Sequence, residues 1–130
     1  MAIYGIGAYQ DADVSQEFLS NNLIFIGWDA TDAPELAQYI QALRVGDIVY
    51  IKSHPPGSQH IVIKGIGIVA DTEPITHNKC MARRVGWLVK TEFNIPKPKE
   101  KNNVRNNTIY EEFHPAVQKE ILRRIGLPNS

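Results

Sequence analysis

The sequence has very little cysteine and no long apolar run. Cys80 is the only cysteine among 130 residues, which excludes an internal disulfide and a zinc site built on several cysteines. No apolar run reaches the roughly 18 residues that a membrane-spanning helix needs. The N-terminus also lacks the basic and apolar regions of a secretory signal. We therefore expect a single domain over residues 1–130, cytoplasmic and away from membranes.

The chain also lacks net charge, but its charges are unevenly distributed. The formal net charge is +0. Residues 1–46 contain six acidic residues and one basic residue, Arg44, whereas residues 79–105 contain eight basic residues and two acidic ones. Such a basic segment is typical of a nucleic-acid face, of a half that attracts the acidic half, or of a solvated loop. The candidates for contact with a nucleic-acid backbone are Arg83, Arg84, Lys97, Lys99, Lys101 and Arg105.

Motifs for catalysis and cofactor binding are missing as well. The four histidines lack the i, i+4 spacing of a helical metal site. Cys80 has no evident base beside it, and GIGAYQD lacks the third glycine of a dinucleotide-binding fingerprint. The sequence therefore predicts no catalytic residue, no metal and no cofactor, and it predicts that the chain is not an enzyme. Hydrolysis of nucleic acid is kept only as an alternative.

The sequence does contain a succession of short strands and a few helices. Capping residues and apolar periodicity predict helices that begin near Asp13, Pro34 and Pro115. The strands are too short and clustered for a βαβ pattern, so we expect an α+β fold with a small, mostly antiparallel pseudobarrel of about six strands and two to three flanking helices. Strands are predicted near residues 2–9, 23–28, 47–54, 60–70, 82–93 and 108–113, and residues 94–107 are predicted to be an exposed loop.

One strand is unusual, because glycines interrupt it. The stretch IVIKGIGIVAD (61–71) has β-branched residues throughout, except at positions such as Gly65 and Gly67. Glycine within a strand marks a bulge, a barrel corner or a close approach of another group. The stretch is therefore predicted to bend and to belong to two sides of a small barrel.

Taken together, the motifs IYGIGAY, FIGWDA, LRVGDIVYIKS and HIVIKGIGIVAD resemble the PUA-like superfamily, closest to EVE domains and the N-terminal modules of modification-dependent restriction proteins. The resemblance covers residues 2–71 by motif and residues 82–126 by element order. It implies a pseudobarrel whose recessed aromatic pocket receives a flipped, often modified, nucleobase. The pocket positions that it implies are Gly7, Ala8, Tyr9, Trp28, Asp29, Lys52 and Ser53.

The chain departs from the EVE pattern at two of these places. EVE domains have a Lys-Ser-Glu-Pro-like run where this chain has residues 7–10, and an Arg-Asn pair where it has Asp29 and Ala30. The floor of the implied pocket is therefore changed, and its ligand need not be the ligand of an EVE domain.

The aromatic candidates each have a structural interpretation as well. Trp28, at a strand end, could stack on a base or be a partly buried core residue. Trp87 alternates with valines, which favours the core, although it too could stack. Tyr9 could line a pocket wall or face solvent.

The polar candidates are equally open to two interpretations. Lys52 and Ser53 could bind a phosphate or a base edge, or could simply be solvated at a strand end. Asp29 could accept a hydrogen bond from an exocyclic amine or cap the turn toward Asp32.

The sequence thus predicts a non-catalytic nucleic-acid-binding module that reads a flipped base, modified or not, in an aromatic pocket. Its partner would be DNA or RNA. The alternative is a protein-interaction or small-nucleotide-binding module, for instance in phage defence or its evasion, which the neutral charge and the acidic residues 1–46 favour.

Overall fold

The computed structural model of the chain describes residues 1–9, 12–27, 33–53, 57–99 and 107–126. Within these ranges lie eight strands and three helices. None of the helices in the described ranges is both long and apolar enough to cross a membrane. The elements are β1 (Ile3–Gly7), α1 (Ser15–Asn21), β2 (Leu23–Phe25), α2 (Pro34–Ala42), β3 (Ile48–Ser53), β4 (His60–Val69), β5 (Ile75–His77), β6 (Cys80–Val89), β7 (Phe93–Pro96), β8 (Ile109–Glu111) and α3 (Pro115–Arg124).

The strands form one curled sheet that makes a half-barrel, and the predicted α+β class is confirmed. Its order is β2-β6-β4-β3-β1-β8, with β5 paired to β6 and β7 paired to β4. The sheet is mixed rather than antiparallel throughout, because β1 and β3 pair in parallel. A parallel pair needs a long crossover, and here α1, β2 and α2 make that connection.

Strand β4 bends as its glycines predict. Its first half, residues 60–63, pairs with β7, and its second half, residues 66–69, pairs with β6. The pairing register shifts between Ile66 and Gly67. A Cβ atom on Gly67 would lie 2.5 Å from Val85 Cγ1 and 2.8 Å from Trp87 Cε3. The glycine therefore allows the Trp87 ring to pack directly on β4. The strand pairs with β7 through its first half and with β6 through its second half.

Two apolar cores lie on opposite faces of this sheet. Alternation along β3 divides its side chains, so that Val49 and Ile51 enter the first core and Ile48 and Tyr50 enter the second. The first core also takes residues of α1, α2 and β2, including Phe18, which is fully buried. The second core is covered by α3 through residues such as Val117 and Ile121.

Several local predictions of secondary structure from the sequence need correction, and one is confirmed. Strand β7 occupies the start of the segment predicted as a loop, and β5 was not predicted at all. Helix α1 has Val14 rather than Asp13 at its N-cap, and the Asp13 carboxylate instead accepts a hydrogen bond from the Ser15 backbone amide. The predicted start of α3 is confirmed, because Pro115 opens the helix and His114 Nδ1 accepts a hydrogen bond from the Ala116 amide.

Candidate functional site

The parallel pairing of β1 and β3 brings four of the predicted site residues to one edge of the sheet. Gly7 and Lys52 are register partners at the carboxyl ends of these strands. Ser53 follows Lys52 as the last residue of β3, and Tyr9 lies two residues beyond the end of β1. We refer to Gly7, Tyr9, Lys52 and Ser53 as the β1–β3 edge.

Lys52 is the most unusual residue of the β1–β3 edge, because its side chain is partly buried. A Cβ atom on Gly7 would lie 3.6 Å from both Cε and Nζ of Lys52. The Nζ atom also lies 5.8 Å from the centre of the Tyr110 ring. The lysine stem therefore lies over the glycine and beside an aromatic face. Burial lowers the pKa of the Lys52 amine to about 8, because a charged group is disfavoured where water is excluded.

The Tyr110 ring is itself held by a buried network of hydrogen bonds. Its hydroxyl lies 2.8 Å from the hydroxyl of Tyr50, and the Tyr50 hydroxyl donates to Glu112 Oε1 at 2.7 Å. Burial, followed by the nearby Tyr110 and Glu112, raises the pKa of Tyr50, so Tyr50 remains a donor. A Cβ atom on Gly5 would overlap the Tyr110 ring, which explains a second glycine of the IYGIGAY motif.

Tyr9 is the exposed aromatic residue of the β1–β3 edge. Its side chain is 78% exposed, while its neighbour Ala8 is buried in the first core. The backbone of Tyr9 forms an isolated bridge with Asp13, and the Ala8 carbonyl accepts a hydrogen bond from the Val14 amide. These two backbone contacts fix the position of Tyr9 at the surface, where its side chain is accessible.

Of the two predicted stacking tryptophans, only Trp87 lies within the described residues, and its contacts are with the first core. The indole of Trp87 donates a hydrogen bond to the Phe18 carbonyl at 2.9 Å and packs against the first core. These contacts agree with the interpretation of Trp87 as a core residue. Trp28 and Asp29 lie outside the described residues, and their assignment to a pocket stays a prediction.

Arg83 needs a correction, because it is a buried structural residue. It has no exposed surface. Its Nε donates to Asp71 Oδ1 at 2.9 Å and its Nη2 to the Asp71 carbonyl at 2.9 Å. Its Nη1 donates to the carbonyls of Ile40 and Leu43 at the end of α2. A side chain so enclosed cannot contact a phosphate in solvent, so Arg83 is removed from the predicted backbone contacts.

The other described candidates for contact with a nucleic-acid backbone, Arg84, Lys97 and Lys99, fall at two ends of the sheet. Arg84 is exposed and lies beside Val85, which pairs with the last residue of β4. The Lys97 amide donates to the carbonyl of Gln59, just before the first residue of β4. Lys99, which is exposed, follows two residues later. Since the ten residues of β4 extend about 30 Å, these residues do not form one continuous track. Lys101 and Arg105 lie outside the described residues.

The lysines at positions 97 and 99 share an end of the sheet with the β1–β3 edge. Strand β4 runs antiparallel to both β3 and β7, so the carboxyl ends of β3 and β7 point the same way. Lys97 and Lys99 follow the carboxyl end of β7. This end of the sheet therefore carries Lys52 and two further cations.

Sequence reasoning missed a groove that adjoins the β1–β3 edge. The groove lies between α2 and β8 and encloses about 470 Å³. It connects to the edge through Thr108, whose carbonyl accepts a hydrogen bond from the Gly7 amide at 2.8 Å. Tyr110 was not predicted as part of the site either. Gly5 could have indicated it, because a glycine within a strand often marks the close approach of a bulky neighbour. The residues that line the groove are Glu35, Leu36, Tyr39, Asn107, Thr108 and Ile109.

No metal-binding arrangement is found in the described part of the chain, where no three His, Cys, Asp or Glu side chains are grouped to hold an ion. No protein-family model matches the sequence, and no curated protein matches it either. The chemistry of the β1–β3 edge must therefore be judged from its own residues.

Proposed function

We propose that the chain is a non-catalytic nucleic-acid-binding module that receives a nucleobase at the β1–β3 edge. The observation that carries this proposal is the grouping of a cation, a hydroxyl and an accessible aromatic ring on adjacent strand ends. Aromatic rings stack on bases of any sequence, and amines and hydroxyls bind phosphates or base edges. The three residues that would act in this way are Tyr9, Lys52 and Ser53.

The resemblance to EVE domains supports the same location and adds two residues to it. The resemblance assigns Gly7, Tyr9, Lys52 and Ser53 to a pocket; Gly7 and Lys52 are register partners, Ser53 follows Lys52, and Tyr9 lies two residues beyond Gly7. On this proposal Trp28 provides a second stacking surface and Asp29 accepts a hydrogen bond from an exocyclic amine. A base that is modified or already unpaired is the preferred ligand, because unstacking it costs least.

Phosphates on either side of the bound base would contact the lysines at the same end of the sheet. Lys97 and Lys99 follow β7, whose carboxyl end lies on the side of the β1–β3 edge. Lys101 and Arg105 continue this segment in the sequence and are included in the proposal. Arg84 lies toward the other end of β4 and serves as an internal contrast.

The test is binding of short single-stranded DNA and RNA, with plain or modified bases, at two salt concentrations. Tyr9→Ala should weaken binding about 5- to 150-fold, since stacking on one aromatic ring is worth ~1–3 kcal/mol. Lys97→Ala combined with Lys99→Ala should lower the slope of log K against log salt by about 1.4 for a single strand. Arg84→Ala is the matched control and should change neither quantity appreciably.

Two results would contradict the proposal. One is a lack of binding to every oligonucleotide at low salt. The other is binding that Arg84→Ala weakens as much as the Lys97 and Lys99 double variant does, because the nucleic acid would then lie elsewhere on the sheet.

The groove between α2 and β8 favours a second candidate function. It combines the Glu35 carboxylate with the Tyr39 ring, which is 41% exposed, and it belongs partly to the acidic half of the chain. Such a lining suits a segment of another protein, whereas the Glu35 carboxylate would repel the phosphate of a small nucleotide. A stable complex with a protein that salt does not weaken, together with no affinity for DNA or RNA, would favour this candidate.

A further inference from the structure

We propose that β8 is a docking strand, to which an extended basic segment of another protein adds as a further antiparallel strand. The inference rests on the second candidate function, a protein segment in the groove between α2 and β8. It specifies how that segment binds and which side chains it carries. It does not depend on base binding at the β1–β3 edge.

Strand β8 has backbone groups that face away from its neighbour. Among the described strands, β8 pairs only with β1. The Thr108 carbonyl accepts a hydrogen bond from the Gly7 amide of β1 at 2.8 Å, so Thr108 faces β1. Backbone groups of successive residues point to opposite sides of an antiparallel strand. The amides and carbonyls of Ile109 and Glu111 therefore point away from β1, where a further strand could pair with them.

Two grooves adjoin this edge of the sheet. Ile109 lines the groove of about 470 Å³ beside α2. Glu111, at the other end of β8, borders a second groove of about 450 Å³ beside α3. Helix α2 packs on the first core and α3 covers the second, so the two helices lie on opposite faces of the sheet. An added strand, whose side chains alternate between faces, would turn them toward α2 and α3 in succession.

The α2 face of this edge is acidic. Glu35 lines the α2 groove and is exposed. Side chains two residues apart share a face of a strand, so Glu111 shares the face of Ile109, which enters the first core. Burial raises the pKa of Tyr4, and the neighbouring Glu111 and Tyr39 raise it further, which agrees with a position of Glu111 near α2. Within the described part of the chain, neither carboxylate takes part in an ion pair.

These charges determine the chemistry of the added segment. A residue opposite Glu111 in an antiparallel pair has its side chain on the same face of the sheet, where opposite charges attract. The other face turns toward α3, where Pro115, Leu122 and the cation Lys119 line the second groove, so apolar residues suit it. A second copy of this chain would bring its own Glu35 and Glu111, and a nucleic acid would bring phosphates. Like charges disfavour both of these occupants.

The first experiment uses a short fluorescent peptide of alternating lysine and valine and measures its Kd for the unaltered protein by anisotropy. With the lysines on the α2 face, antiparallel pairing directs the lysine backbone groups at Ile109 and Glu111 and the valine backbone groups at solvent. N-methylation of every lysine should weaken binding at least about 10-fold, because it removes the donors that face β8. N-methylation of every valine should change the Kd little. If the two methylated peptides bind equally well, strand addition is overturned.

The second experiment locates the bound peptide by hydrogen exchange of backbone amides, followed by NMR. Saturation with the unmethylated peptide should slow the exchange of the Ile109 and Glu111 amides. The Tyr110 amide, which already faces β1, is the internal control and should change little. Unaltered exchange at Ile109 and Glu111 in the saturated complex would refute the inference.

The third experiment tests the charge of the partner. Glu35→Gln combined with Glu111→Gln should weaken binding of the unmethylated peptide about 2- to 30-fold, the effect of two partly exposed ion pairs. The matched control is Glu73→Gln combined with Glu92→Gln, which makes the same change in net charge at two exposed positions and should leave the Kd unaltered. Equal weakening by the two double variants would show that the peptide does not recognise this edge.

These outcomes separate the inference from the candidate function on which it rests. A peptide that binds without protecting Ile109 and Glu111 overturns strand addition, while a protein segment in the groove remains supported. Absence of binding by every peptide of the set overturns the inference and its partner chemistry. Main-chain hydrogen bonds supply most of the affinity in strand addition, so salt should weaken this complex much less than it weakens a nucleic-acid complex.

Discussion

Replacing Arg83 by methionine tests whether this arginine holds the first core together. Methionine keeps much of the side-chain volume and removes only the guanidinium group. That group pairs with the carboxylate of Asp71 and donates to carbonyls at the end of α2. Those carbonyls belong to the last turn of the helix, which leaves its final C=O groups without intrahelical partners. No basic residue of α2 itself lies in that turn, so Arg83 stabilises it from β6.

The expected loss of stability follows from the burial of this group. The Arg83 side chain has no exposed surface and that of Asp71 is 14% exposed. Removing one member of a buried charge pair costs about 3–5 kcal/mol, because the other member stays buried without its partner. A domain is stable by only about 5–15 kcal/mol in total, so Arg83→Met should move the midpoint of urea unfolding substantially.

The control is the adjacent residue. The Arg84 side chain is exposed, and only the Arg84 backbone amide donates to Asp71 Oδ2. The variant Arg84→Met therefore keeps that hydrogen bond. Its effect should stay within about 0.5 kcal/mol. Asp71→Asn, which keeps an acceptor oxygen, should cost an intermediate ~1–3 kcal/mol, and it remains measurable if Arg83→Met does not fold. The reasoning is refuted if Arg83→Met and Arg84→Met unfold within about 1 kcal/mol of each other.

Two further predictions concern the packing of β4 and the charge of Lys52. Gly67→Ala should destabilise the fold by about 1–3 kcal/mol in urea unfolding, because its Cβ atom would meet Val85 Cγ1 at 2.5 Å; an unchanged midpoint would contradict the close packing. Lys52→Met should stabilise the protein at pH 7, since its pKa of about 8 means that protonation favours the unfolded chain. This gain should be complete below pH 8, shrink as the pH rises through the interval up to about 10.4, and vanish above it; unfolding curves that show a constant gain would contradict it.

The sequence predicted those features of the fold that depend on local signals. The glycines of β4 and the His114–Pro115 start of α3 act within a few residues, so their effects could be read from the chain. The parallel pairing of β1 with β3 could not be predicted from the chain. Alternation shows which face of the sheet a side chain occupies, but not which strand lies beside it.

The candidate site shows the same limit, along with one signal that was overlooked. The β1–β3 edge was predicted only as motif positions, and the adjacency of Gly7 and Lys52 depends on a register between distant strands. Successive side chains of a strand point to opposite faces, so Arg83 shares a face with the inward Val85 and Trp87. Arg84 belongs to the opposite face. Strand alternation alone could have predicted that Arg83 faces inward and Arg84 outward.

The position of β1 between β3 and β8 has a consequence for synthesis of the chain. Synthesis proceeds from the N-terminal to the C-terminal side, so β1 is made before β8, yet it gains its second neighbour only when β8, residues Ile109–Glu111, becomes available. Until then one edge of β1 has no partner strand, and strands exposed in this way are prone to pair with other chains. Pairing over such a long stretch of sequence is also slow. Strand β1 is thus synthesised long before its pairing is complete, and a nascent chain that stalls before residue 109 would present an unprotected strand.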